Sequence, residues 1–278
     1  MNKIYILAFF SFFLVSCKEH DEKKQWVFDK NIELPKDSRP LALAKIRNDF
    51  WFSDPDRFRL LKIDTSGLVL DSIIGIKRPM NIHSDQGKLY VPEFLTDTIW
   101  EFENGSKNYF PVNAKPQAPA GVFVEGDTVA VADFYNHRII LQLGEDVSFI
   151  GEEGHDKGQL YYPIDVKIHK NKIYVADAYN HRVQVFDFKG TLLTVIGQEN
   201  GINVASAIDL SLNFMAVTDQ ENNRVLIYNL DGNLFQILDN HLNYPTDVCF
   251  LQKKLWVTNF KTNELSVFVL ARKNNLLK

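Results

Sequence analysis

Asp177 and Arg182 stand five residues apart around the polar turn "AYNH", and the same types recur at Asp133 and Arg138 around "FYNH" and at Asp219 and Arg224 around "QENN". In each case the acid ends one apolar run and the arginine begins the next, which suits a charge-assisted hydrogen bond across a turn. A pair present in every well-formed copy serves the copy, so a structural role is preferred to a ligand-binding one. The residues between them, at the tips, are Tyr135, His137, Tyr179, His181 and Asn223. A segment rich in similar types, "EEGHDKGQLYY" at 152–162, carries Glu152, Glu153, His155, Tyr161 and Tyr162. Aromatic and imidazole groups on loops above a rigid base suit recognition of a ligand. Equally open is the reading in which Asn-His only shapes the turn and the tyrosines pack locally.

A third set is Asn81, Asp165, Asp209 and Asp247, each at the second position after a landmark that opens an apolar-alternating run: Pro79, Pro163, Ala207 and Pro245. If this position leans into a shared channel, four oxygen-bearing side chains converge, the donor type that Ca²⁺ or another divalent cation takes. Ala42 and Gly121 hold the matching place after Pro40 and Pro119 and would leave the ring open. An Asp at a strand start that caps loop N–H groups is the preferred alternative. No G-x-S-x-G, H-E-x-x-H, paired zinc cysteines or phosphate-cradling glycine loop is present, so no catalytic residue is assigned and no other cofactor is expected.

The spacing of these groups fixes the elements that must position them. Taking the acid of each copy as a marker gives Asp54, Glu93, Asp133, Asp177, Asp219 and Asn259, which stand 39, 40, 44, 42 and 40 residues apart. Each unit of the clearest kind reads as four short β-rich runs, "IDVKIH", "KIYVAD", "RVQVFD" and "LLTVIG", with hairpin-length connections. Such a sheet is apolar on both faces and needs a neighbour on each side, which a closed ring supplies. The expected fold is therefore all-β: a six-bladed β-propeller of four-stranded antiparallel blades. The last unit ends one strand short in "ARKNNLLK", while "WVFDKNIEL" at 26–34 alternates before the first unit, so the N-terminal strand is expected to complete the last blade.

The fourth unit, with its glycine-rich lead-in, Pro163, "YVAD" and "NHR", resembles the NHL repeat, as does the third from Pro119 onward and, less closely, the fifth. The chain as a whole resembles six-bladed propeller lipoproteins of the Bacteroidetes type. The resemblance implies a propeller that binds through one face. It also implies an alternative, since six-bladed relatives include metal-dependent lactonases and peptide-amidating lyases with a site at the channel mouth.

Residues 1–16, with Lys3, an apolar run from Ile4 to Val15 and Ser16, read as an export signal, too short to span a bilayer. "LVSC" resembles a lipobox that makes Cys17 the lipid-modified first residue of the mature chain. Residues 17–25, all polar after the cysteine, read as a tether, and 26–278 as the propeller. Cys249 lies in an apolar run, so no disulfide is expected, and a buried inert thiol is the reading. The formal charge of −4 supplies no field for a phosphate backbone, which argues against nucleic acid. The sequence thus points to a lipid-anchored monomer at the outer membrane or cell surface that binds a protein, peptide or glycan without catalysis, or else to a propeller enzyme.

Overall fold

The computed structural model describes residues 24–272. Its first strand, β1 (Lys24–Glu33), belongs to none of the five sheets that follow it in sequence. Blade 1 is β2 (Leu43–Ile46), β3 (Asp49–Asp54), β4 (Arg59–Ile63) and β5 (Val69–Ile74). Blade 2 is β6 (His83–Asp85), β7 (Lys88–Glu93), β8 (Thr98–Glu103) and β9 (Ser106–Tyr109). Blade 3 is β10 (Pro119–Glu125), β11 (Thr128–Asp133), β12 (Arg138–Leu143) and β13 (Asp146–Ile150). Blade 4 is β14 (Pro163–His169), β15 (Lys172–Asp177), β16 (Arg182–Phe186) and β17 (Leu192–Ile196). Blade 5 is β18 (Ala205–Leu210), β19 (Phe214–Asp219), β20 (Arg224–Asn229) and β21 (Leu234–Leu238). Blade 6 contains β22 (Pro245–Leu251), β23 (Lys254–Asn259) and β24 (Glu264–Arg272), with β1 hydrogen-bonded to β24 as its outer strand. Every pairing within a blade is antiparallel, and helical turns among the described residues are short 3-10 turns. The protein is a six-bladed β-propeller.

Burial follows radius. In blade 4 the second and third strands, "KIYVAD" and "RVQVF", are buried almost throughout, while the outer strand is exposed or half-buried except at Ile196. Continuous β-branched runs form the middle strands because both their faces meet a neighbouring blade. The core is accordingly split into wedges between blades. Tyr174, Val183 and Val185 of blade 4 pack on Ile208, Met215 and Tyr228 of blade 5, and Ile139 and Leu141 of blade 3 on Val166 and Val175 of blade 4.

β1 serves two wedges at once. Trp26 is 5% exposed, sits with its ring centroid 5.5 Å from Phe250, and contacts Phe214 of blade 5 edge-on. The Gln236 side chain in blade 5 accepts from the Trp26 N–H at 2.8 Å and donates to its carbonyl at 2.8 Å. Further along, Ile32 and Leu34 join Phe50, Phe52 and Trp256 in the wedge between blades 6 and 1. Replacing Trp26 by Ala therefore opens a cavity at the seam, and a loss of about 3–5 kcal/mol is expected. Urea unfolding of the purified domain measures it, and an unchanged midpoint would show that β1 contributes nothing to closure.

Candidate functional site

On one face of the disk the turns between second and third strands meet the loops that lead into each blade. The Asp/Arg pairs hold that face together. Arg182 Nε donates to Asp177 Oδ2 at 2.7 Å, Arg138 Nε to Asp133 Oδ2 at 2.8 Å, and Arg224 Nε to Asp219 Oδ2 at 2.7 Å. Each carboxylate also accepts from the backbone sixteen residues upstream: Tyr161 N–H for Asp177, Gln117 N–H for Asp133 and Asn203 N–H for Asp219. Asn180, Asn136 and Asn222 donate to the same carboxylates from within the turn. In blade 4 the guanidinium of Arg182, only 2% exposed, donates in addition to the carbonyls of His155, Asp156 and Gln159, so the 152–162 loop is clamped from below. Burial pushes the Asp177 pKa up, and the N–H groups around it only partly offset that.

The turns end in a left-handed residue, with φ of 52° at His137, 57° at His181 and 53° at Asn223, and also at Phe58, Asp97 and Asn263. In most of these the side chain reaches the next blade. His137 Nδ1 accepts from Tyr162 N–H at 3.1 Å, Asn223 Oδ1 from Tyr244 N–H at 2.7 Å, and Asp97 Oδ1 from Ala118 N–H at 2.7 Å. His181 Nδ1 bonds the carbonyl of Asn203. Thus His137, His181 and Asn223 staple blade to blade, and His137 is buried.

The tyrosines do something else. Phe94, Phe134, Tyr135, Tyr162, Tyr161 and Tyr179 form a continuous crescent across blades 2, 3 and 4, with neighbouring centroids 4.6–6.4 Å apart and mostly tilted or edge-on geometry. Such arrangements let ring edges meet ring faces. Tyr135 is 49% exposed and Tyr179 51%, and Tyr162 lies between them at 6.3 and 5.3 Å. His155, exposed on the 152–162 loop, tilts over Tyr161 at 4.6 Å and bonds Asn180 Oδ1 through Nδ1. Tyr244 and Phe260 continue the aromatic surface on the side of blades 5 and 6.

The innermost strands line a central channel with a cavity of about 260 Å³. A one-residue bulge after the Pro landmark aims Asp165 and Asp247 inward, opposite Ala176 and Thr258. The same register pairs Ala205 with Asp219 and Ala207 with Thr218, so Ala205 is the landmark of blade 5 and Ala207 the counterpart of Asp165. The expected equivalence of Asp209 is therefore corrected: it stands one strand pair deeper, on the level of Lys167 and Cys249. Alternation along β14 turns Asp165, Lys167 and His169 to the same side.

These carboxylates are stitches between blades. Asp165 Oδ2 accepts from Ile208 N–H at 3.0 Å, Asp209 Oδ2 from Phe250 N–H at 2.6 Å, and Asp247 Oδ2 from Leu43 N–H at 2.7 Å, joining blades 4 to 5, 5 to 6 and 6 to 1. Asn81 Nδ2 reaches the carbonyls of Ile164 and Ser206 on the far side. Gly121 lets blades 3 and 4 come together, since a Cβ there would lie 2.7 Å from the Ile164 carbonyl oxygen. The cation among the acids is Lys167, whose Nζ lies 2.8 and 3.0 Å from the Asp165 oxygens. Burial works against its charge, but Asp165, Asp247 and Asp209 outweigh that and hold its pKa above the ordinary lysine value. Burial also raises Asp209 to about 6 and Asp247 to about 7, and lowers His83, which faces Lys167, to about 3.

A divalent cation does not fit this donor set. The oxygens are engaged by backbone N–H groups and an ammonium, and among the described residues no three His, Cys, Asp or Glu side chains gather to hold a metal ion. Cys249 is half-buried on the channel wall and donates to the Leu43 carbonyl at 3.1 Å, with its pKa pushed up by burial first and by Asp247 next. Cys17 lies outside the described residues. Lys167 and Asp97 are the residues that sequence reasoning missed, although the period-2 pattern of "IDVKIH" already put Lys167 beside Asp165.

Comparison with known proteins gives the same architecture. The NHL repeat family model matches residues 160–186. No curated protein matches the sequence. Among solved structures the chain is similar to a streptogramin B lyase, with 14% identity, 88% of this chain and 98% of that one covered, and a TM-score of 0.64. It is similar to virginiamycin B lyase of Staphylococcus aureus in complex with quinupristin, with 12% identity, 90% and 100% covered, and a TM-score of 0.64. A gluconolactonase from Xanthomonas campestris gives 14% identity, 87% and 89% covered, and 0.69. At these identities the likeness is one of fold.

Asp177→Ala strands a buried guanidinium, so a loss of about 3–5 kcal/mol in chemical denaturation is expected, with Asp177→Asn costing less. Asp247 gives a pH signature. Its folded pKa of about 7 lies above its ordinary 3.8, so the folded state keeps a proton that the unfolded chain has released, and this group's contribution falls as pH rises from about 4 to about 7. His83, held at about 3 against 6.5, works in the opposite sense between those values. The difference in stability between Asp247→Asn and the parent isolates the first effect. It is expected to grow with pH by up to about 4 kcal/mol across that window; denaturant titrations at pH 4 and pH 8 measure it, and a difference independent of pH would refute the assignment.

Proposed function

From a six-bladed β-propeller that carries an NHL repeat, we infer a non-catalytic binding module, held at the cell envelope by a lipid on Cys17, that takes a peptide or glycan on its turn face. The observation that carries this reading is the aromatic crescent. Tyr135 and Tyr179 leave about half their surface in solvent while half-buried Phe134 and Tyr162 pack against them. Rings fixed in this way lose little conformational freedom on contact and offer both a C–H-binding face and a hydroxyl. His155, Glu152 and Glu153 on the clamped loop supply polar partners at the rim.

The enzymatic alternative would centre on the channel, where Asp165, Asp209 and Asp247 spend their oxygens on ring assembly and on Lys167. That chemistry supports a framework more than a reaction centre, so the crescent is the preferred site.

Arrays of envelope glycans and of synthetic peptides, followed by calorimetry on the hits, test the reading. Tyr135→Ala and Tyr179→Ala are each expected to weaken binding by about 1–3 kcal/mol with little change in unfolding midpoint. Binding that survives the double substitution, or that is lost with Lys167→Met while both tyrosine variants bind normally, would move the site to the channel.

A further inference from the structure

Strand direction decides which way the crescent can look. β24 leaves the turn face at Glu264 and ends on the opposite face at Arg272, and β1 runs against it, with Lys24 opposite Arg272 and Glu33 opposite Glu264. The chain therefore enters the propeller from the face away from the crescent. Six residues, or seven chain steps, separate Cys17 from Lys24, and at 3.3–3.6 Å per step they span at most roughly 25 Å. The nine residues of β24 rise by about 30 Å from one face to the other. A tether of that length cannot pass round the rim and bring a lipid on Cys17 to the crescent side.

The face where Lys24 emerges carries exposed apolar and basic tips. Leu212, at the tip of the β18–β19 turn, is 78% exposed, and Leu68, at the tip of the β4–β5 turn, is 63% exposed. On the same face the tips of blades 4, 6 and 1 present Lys170, Lys253 and Arg47, all exposed, while those of blade 3 present Glu125, Asp127, Glu145 and Asp146. The projecting leucines and the basic tips of blades 4, 6 and 1 match an interfacial layer of acyl chains beneath anionic headgroups on that side of the face.

We propose that this face is a bilayer-docking surface, seated by Leu212, Leu68 and the basic tips, which holds the aromatic crescent pointing away from the membrane. The proposal rests on the reading of Cys17 as a lipid anchor and adds an orientation to it. A membrane partner is favoured over a protein one because the covalent tether, the leucine tips and the basic groups converge on one face.

The full chain, purified with its lipid and reconstituted into phosphatidylethanolamine–phosphatidylglycerol vesicles, tests the two ideas separately. Mass spectrometry of the N-terminal peptide reads the anchor. An environment-sensitive dye at Asn213→Cys, beside Leu212, and the same dye at Tyr179→Cys read the orientation through quenching by brominated lipids. With the acyl mass present, quenching several-fold stronger at position 213 than at 179 is expected. Equal quenching, or stronger quenching at 179, overturns the docking surface while leaving the anchor in place. A peptide without acyl mass removes the anchor and the orientation with it.

Discussion

A small antiparallel sheet that is apolar on both faces cannot rest against solvent on either side, and that requirement organises the molecule. Each blade hides its faces only by standing beside two others, so the apolar interior is a set of wedges between blades. Exposure is displaced to the outer strands and to the two flat faces. The middle strands are spent on burial, which leaves turns and lead-in loops to carry groups that meet other molecules.

Polar groups take over where the wedges end. On the turn face an acid, an amide and an arginine from one blade grip its own lead-in loop, and a left-handed residue reaches to the next. In the channel, Asp165, Asp209 and Asp247 each give an oxygen to the backbone of the following blade, and Lys167 balances their charge. Buried carboxylates persist because N–H groups and one ammonium meet them directly. These two polar layers fix the angle between blades, on which the spacing of the crescent tyrosines depends.

The fold was legible because one strand sequence is written several times, with a marker acid and a landmark Pro at constant separation. That regularity also held the correct register of blade 5: each landmark precedes its marker by 14 residues, which selects Ala205, and the greater likeness of the run after Ala207 hid it. The Asp/Arg turns were readable for the same reason of recurrence. The crescent was legible only as a set of tyrosines near one another, because ring distances depend on the angle between blades, which no single strand encodes. His137 and Asn223 looked available at turn tips. A left-handed backbone swings their side chains toward the next blade, a direction that sequence spacing does not carry.

The seam in blade 6 sets the order in which the molecule can be finished. β1 is the earliest part of the described chain to be made, yet its only sheet partner, β24, is the latest. Until synthesis has delivered that final strand, the five intervening sheets form an open arc with a raw margin at either end, and Trp26 has no slot to fill. Assembly of this propeller is thus a race to its own last residues, and any delay there leaves sticky margins free to find those of another copy.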